Sequence, residues 1–237
     1  DKTNGSIVHS QVSVSYYHLD STPAELRSES IAEFVRWPTS NKGVYVSNVS
    51  FDEAGLWGMS VNIPNESDVK AVAQAGIIVA PQSKSPGTGT LAPPSLNKVA
   101  GDVTTLSELT TSPIPDPNLY QITVSEAIKS SKPTVVTFAT PAFCTTSTCG
   151  PQVEVISLLN TLYNNRVNFI HIEVYDNPQE MDGNPSTAVI SPILDEWGLR
   201  TEPFTFVLDS NGIIVSKYEG FVTQGELEDT IETMVGP

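Results

Sequence analysis

Both cysteines of this 237-residue chain, Cys144 and Cys149, lie within one hexapeptide, and no other residues are so well placed for chemistry. Two thiols this close offer a disulfide, a redox dithiol or a pair of metal ligands. Redox exchange needs one of them as a thiolate. A helix N-terminus favours that form, because its unpaired N–H groups and aligned peptide dipoles stabilise an anion. The patterns on either side fit such a junction. Residues 133–140 (PTVVTFAT) read as a buried strand. Residues 151–163 read as an amphipathic helix with Val155, Leu158, Leu159 and Leu162 on one stripe. Cys144 follows the strand and precedes the helix, so it is the candidate nucleophile, with Cys149 as the resolving thiol. The alternative is a structural disulfide or two buried thiols. The C-x4-C spacing adds a constraint. Residues five apart on a regular helix rise about 7.5 Å, beyond the limit of about 7 Å between bonded cysteine Cα atoms. A bond therefore requires Cys144 to lie in a turn ahead of the helix.

The elements that must position the pair continue the alternation of strand and helix. Residues 124–129 read as a short helix, 167–174 (VNFIHIEV) as a strand, and 188–197 as a helix ended by Gly198. Residues 204–208 and 213–218 read as strands flanking the turn Asp209-Ser210-Asn211-Gly212, and 225–234 as a closing helix. Asp176-Asn177-Pro178 reads as a turn. His171, in mid-strand, reads as a satisfied sheet residue rather than a ligand, and Glu173 as a strand residue facing solvent.

Within this part, Glu202-Pro203-Phe204-Thr205-Phe206-Val207-Leu208-Asp209-Ser210-Asn211-Gly212 resembles the P-x-T-F-x-x-D-x-x-G hairpin of thioredoxins. Together with the order strand, cysteines, helix, strand, helix, hairpin, helix, residues 120–235 resemble the thioredoxin-like superfamily, of the TlpA/AhpC-TSA thiol–disulfide oxidoreductase type. The resemblance implies an α/β thioredoxin-like domain over 119–237. It implies that Pro203 is a cis-proline facing the cysteines, against a general frequency of about 5–6% for cis X–Pro bonds. The bland alternative is a trans proline starting an edge strand.

Four departures bear on activity. The spacing is not C-x2-C. Thr137 stands where thioredoxins commonly carry a buried Asp. Glu202 precedes Pro203, and a carboxylate beside a thiolate raises its pKa. No Lys or Arg occurs between Lys132 and Arg166 to compensate. Related families fit less well. A peroxiredoxin P-x3-T-x2-C motif counted from Pro141 matches Thr145 but meets Thr148, with Cys149 one position late. Copper chaperones of this fold use C-x3-C and a distant His, and the spacing here differs; His9 and His18 lie in the other half of the chain.

The first 80 residues read as all-β. Val8, Val12, Val14 and Tyr16 alternate on one face. Residues 31–37, 43–51 and 56–63 read as strands, and 69–79 continues the sheet. The segment GVYVSNVSFDEAGLWGMSVNI resembles small Ig-like domains of bacterial envelope proteins, including the YtkA-like group. That implies an Ig-like β-sandwich over 1–80, cut short at its N-terminus, with Trp57 and Tyr45 in the core. Residues 81–118, interrupted by seven prolines, read as a connector, with a short helix over 102–109 whose Leu106 and Leu109 pack on a domain.

The chain carries 12 Lys+Arg against 27 Asp+Glu, a net charge of −15, which opposes binding to nucleic acid and to anionic membrane surfaces. No apolar stretch reaches the roughly 18 residues of a membrane span. Abundant Ser, Thr and Asn with few Lys lean towards an extracytoplasmic setting in the periplasm, cell envelope or medium; sequons at Asn4, Asn48 and Asn65 add little. The opening Asp1-Lys2-Thr3-Asn4-Gly5 reads as a turn between strands, so the sequence is expected to begin inside a longer precursor, where a signal peptide or lipid tether would lie. The expected activity is disulfide exchange with protein thiols or a redox partner, through Cys144 and Cys149 with Pro203 and Glu202 beside them and no metal or organic cofactor. The alternative is a non-catalytic binding or structural module stapled by the same cysteines.

Overall fold

The computed structural model describes residues 11–36, 42–63 and 71–236. The expectations resting on Val8, Trp37, Asn4, Asn65, residues 69–70 and the opening turn lie outside them. The chain divides into two compact units, Asp1–Ser83 and Lys84–Pro237.

The first unit is a five-stranded antiparallel sheet. Its strands are β1 (Gln11–His18), β2 (Glu25–Arg36), β3 (Gly43–Val46), β4 (Gly55–Ile63) and β5 (Ala71–Val79), in the order β3-β2-β1-β4-β5. The alternation in β1 puts Val12, Val14 and Tyr16 on the buried face, where they meet Ala32 and Trp57. The two packed sheets expected of an Ig-like sandwich are not seen: among the described residues all five strands share one ladder. The reason lies between β3 and β4. Val49 and Phe51 fold over the apolar face, with the Phe51 ring 5.0 Å from Trp57 and 6.0 Å from Tyr16, so this segment covers the face that a second sheet would. Trp57 is fully buried and its Nε1–H donates to the Glu53 carbonyl at 3.0 Å. Tyr45, expected in the core, is exposed on the edge strand β3.

The second unit follows the predicted alternation. Its elements are α1 (Val124–Lys129), β6 (Thr134–Ala139), α2 (Cys149–Tyr163), β7 (Asn168–Glu173), α3 (Pro192–Glu196), β8 (Phe204–Leu208), β9 (Ile214–Glu219) and α4 (Gln224–Val235). The sheet order is β7-β6-β8-β9, with β6 parallel to β7 and antiparallel to β8. A β-α-β crossover followed by an antiparallel hairpin and a closing helix is the thioredoxin-like arrangement. Every residue of β6 and β8 is buried, because α2 and α4 pack on one face of the sheet and α1 and α3 on the other. Thr123 and Thr223 cap their helices reciprocally with Glu126 and Glu226. The helix expected over 188–197 shrinks to α3. Pro192 occupies its first turn, and a proline disfavours helical geometry in the residue before it. Gly198 ends it at φ +61°.

Residues 84–118, expected as a connector, belong to the second unit. Leu91 bridges to Ile213, extending the sheet edge beside β9. Ser95 Oγ accepts from the buried Trp197 Nε1–H at 2.9 Å and donates to Glu196, and Asn97 Oδ1 accepts from Val124 N–H at 2.8 Å. The helix expected over 102–109 is two 3-10 turns, Ala100–Asp102 and Leu106–Glu108, and Leu109 packs into the core with Leu106 partly buried against it.

We propose that Lys84 begins an independently folding unit. A fragment from Lys84 should fold cooperatively, whereas one from Leu119 loses Leu109, Ala92 and the Ser95–Trp197 bond. Removing such contacts costs several kcal/mol, about 10 °C in melting temperature at this size. Equal melting temperatures by circular dichroism would return residues 84–118 to the status of a linker.

Candidate functional site

The loop from Thr140 to Thr148 leaves the C-terminal end of β6 and enters α2 at Cys149. Cys144 lies in this loop, outside the helix, so the spacing constraint is met. The two cysteines are joined in a disulfide with their Cα atoms 5.8 Å apart. Ser147 adopts φ +59°, the left-handed turn that folds the chain back on itself between them. Their surroundings differ. Cys149, the first residue of α2, is fully buried in the core, while Cys144 is partly exposed. The Sγ of Cys144 accepts from the first N–H of α2, that of Cys149, at 3.2 Å, and the Thr146 hydroxyl lies 3.2 Å from it. These are groups that would stabilise a thiolate on Cys144 once the bond is reduced.

Pro203 is buried, and the Glu202–Pro203 bond is cis. Phe204 pairs with Phe138 near the end of β6, which sets Pro203 where the cysteine loop departs. The Glu202 carboxylate lies close to the Thr145 backbone, which sets the proline loop beside the cysteine loop. Partial burial pushes Glu202 above the usual carboxylate range, with the Thr145 backbone opposing. Beside them, the rings of Phe143 and Tyr175 meet edge to face at 6.2 Å. Burial raises the Tyr175 phenol, and the Glu202 and Glu173 charges add to that. The four residues singled out by the sequence, Cys144, Cys149, Glu202 and Pro203, therefore converge on one end of the sheet.

Beneath the pair, Thr137 is fully buried and shares a 3.1 Å hydroxyl contact with Thr205. The buried acid is Glu173, at the end of β7 and paired with Ala139. It was expected to face solvent, but it is only 5% exposed. Because β7 is covered on both faces, alternation does not bring it to the surface. Its carboxylate accepts from Thr111 N–H at 2.7 Å, Thr111 Oγ1–H at 2.9 Å and Val174 N–H at 3.0 Å. Thr111 Oγ1 in turn accepts from the Ala142 N–H at 3.1 Å, two residues before Cys144. Glu173 thus anchors the cysteine loop through Thr111. Desolvation pushes its pKa up, and these donors oppose the rise.

His171 is satisfied as expected. Its Nε2–H donates to the Ala139 carbonyl at 3.1 Å, and Nδ1 accepts from Tyr120 Oη–H at 2.7 Å. Burial holds its pKa down to about 4, so the ring is neutral at pH 7. His18 is buried in the first unit, and His9 lies outside the described residues. No group of three or more His, Cys, Asp or Glu side chains suited to holding a metal ion occurs among the described residues. Sequence reasoning missed Thr111 and Tyr120, which only the fold brings to this end of the sheet.

No protein-family model matches the chain, and no curated protein is significantly similar to it. Among solved structures, a thiol:disulfide interchange protein of the thioredoxin family from Chlorobium tepidum is similar at 16% identity and a TM-score of 0.38, over 47% of this chain and 85% of that one. StoA from Bacillus subtilis is similar at 16% identity and a TM-score of 0.31, over 42% and 81%. Likenesses of this size say nothing of activity. The thioredoxin-like class of the second unit rests on its own strand order, crossover and cysteine placement.

Two outcomes follow from the buried network. The imidazole protons of His171, followed by NMR, should titrate near pH 4; a midpoint near 6.5 would mean an exposed ring. Glu173→Ala should destabilise by about 2–4 kcal/mol, because buried donors lose their acceptor. The pH dependence has a definite sign. A carboxyl whose folded pKa exceeds its ordinary 4.5 favours folding below that value and loses this contribution as pH rises through the raised pKa. Urea unfolding of Glu173→Gln across pH 4–7 should show that decline removed; an unchanged slope counts against the burial.

Proposed function

We propose that this chain is an extracytoplasmic thiol–disulfide oxidoreductase acting through Cys144 and Cys149. The observation that carries the reading is the asymmetry of the pair: Cys144 is partly exposed and bonded to the first N–H of α2, while Cys149 is fully buried behind it. In the reduced protein the Cys144 thiolate attacks a substrate disulfide. Its Sγ bonds to one substrate sulfur, and the other leaves as a thiolate. Cys149, losing its proton, then attacks Cys144 Sγ, expels the second substrate thiolate and closes the intramolecular disulfide. Two electrons pass to the substrate and no cofactor takes part. The reverse sequence oxidises a dithiol. Pro203 shapes the groove beside Cys144, and Glu202 sets the charge there.

The partner is a protein thiol, a protein disulfide or a second redox protein. The Ser/Thr/Asn-rich, Lys-poor composition supports the location. No helix among the described residues is long and apolar enough to cross a membrane. The second reading is a binding or structural module stapled by the same bond. It is favoured by Thr137 in place of a buried acid beneath the pair and by Glu202 opposing a Cys144 thiolate.

The readings separate on reactivity. Cys144→Ser should abolish exchange with a model disulfide, and Cys149→Ser should accumulate a mixed disulfide visible by mass spectrometry. Glu202→Gln should lower the Cys144 pKa and speed iodoacetamide labelling near neutral pH, since it removes a neighbouring negative charge. Slow, equal labelling of both thiols without turnover, together with a reduction potential below about −300 mV, would establish the structural staple.

A further inference from the structure

Two aromatic rings and one carboxylate lie at the end of the sheet from which the cysteine loop departs. Phe143 immediately precedes Cys144, and its ring meets that of Tyr175 at 6.2 Å with planes at 77°. Glu202, on the proline loop, lies close to Tyr175 and to the Thr145 backbone on the other side of Cys144. All three side chains are partly exposed. Aromatic faces with a neighbouring carboxylate suit an ammonium or guanidinium group, which gains from the ring quadrupole and the negative charge together.

We infer that this cluster selects substrate segments carrying Lys or Arg next to their cysteine. The inference rests on the exchange activity proposed above and names its substrate class. The stretch around the cysteines supplies no such cation: the sequence has no Lys or Arg from 133 to 165. Cationic side chains that the fold brings to this end are engaged elsewhere. Lys98 pairs with Asp176 at 3.0 Å, and Arg200, two residues before Glu202, pairs with Asp195 at 3.1 Å. Glu219 adds negative charge, accepting from Thr201 beside Glu202. The net charge of −15 steers a cationic partner from a distance.

The chemistry gives the preference a purpose. Alone, Glu202 disfavours the Cys144 thiolate. A docked cation neutralises Glu202 and so favours that thiolate when substrate arrives. The same cation lowers the pKa of the substrate cysteine and makes it a better leaving group. Glu202 therefore keeps Cys144 subdued until a suitable segment is bound.

The test uses one peptide sequence with Lys, Gln or Glu beside a central position. In a binding arm that position is Ser, and affinity for the oxidised chain is read by NMR titration. In an exchange arm it is Cys carried as a thionitrobenzoate mixed disulfide, and the rate of attack by the reduced chain is measured. The Lys peptide should exceed the Glu peptide about fivefold in both arms, the size expected of a surface cation–π contact with an ion pair. The ratio should fall towards one in Glu202→Gln and shrink in Phe143→Leu. Comparing ratios cancels any change in thiol reactivity caused by the substitution. A ratio near one in the native chain, or one unchanged in Glu202→Gln, overturns the inference. A preference in the binding arm with no exchange for any peptide leaves the cation subsite standing and removes the oxidoreductase reading instead.

Discussion

The end of β6 is the constraint on which the site depends. A strand buried on both faces delivers the chain at Ala139 into a loop that must reach the surface within five residues to expose Cys144. Each polar group at that corner needs a partner, because an unpaired buried donor or acceptor costs about as much as the bond itself contributes. The partners come from far apart in the chain. His171 Nε2–H meets the Ala139 carbonyl, Thr111 Oγ1 meets the Ala142 N–H, and Glu173 holds Thr111 in place. The residues from 84 onwards are wrapped on the second unit, so Thr111 reaches this corner only because the preceding chain is packed there.

Charge is distributed unevenly about the pair. The first N–H of α2 and the Thr146 hydroxyl point at Cys144 Sγ and favour an anion. Glu202 opposes them from the side, and the position beneath the pair holds Thr137 with no charge. Glu173 supplies a buried carboxyl from the neighbouring strand, but its oxygens are spent on the backbone and on hydroxyls of the loop region. In the proposed exchange, reactivity at Cys144 is a balance between a helix end worth up to about 2 kcal/mol in favourable geometry and one partly screened carboxylate.

The first unit solves a different problem. A single antiparallel sheet with one apolar face is not stable by itself and needs a cover. Here the cover is short and local, with Val49 and Phe51 lying on Trp57 and Tyr16. A strand carrying a Tyr, followed by a turn and a Trp strand, reads the same whether the opposing layer is a second sheet or a loop, which is why the sandwich expectation went further than the structure.

The sequence by itself determined what depends on neighbours along the chain. The order of strands and helices in the second unit, the turn at Asp209–Gly212, the termination at Gly198 and the placement of Cys144 ahead of α2 follow from periodicity, turn residues and spacing. The hairpin around Phe204 likewise brought Pro203 to the cysteines, through a resemblance carried by eleven consecutive residues. What only the tertiary structure decided is what covers each element. Glu173 sits on a strand whose alternation permits an exposed acid, yet residues 110–111 close over it. Tyr45 has the pattern of a core residue, yet its strand is an edge. The prolines of 84–118 suggested a linker, but proline rules out regular helix and inner strand, not packing. Burial is set by segments remote in sequence, and local pattern carries no record of which segment that will be.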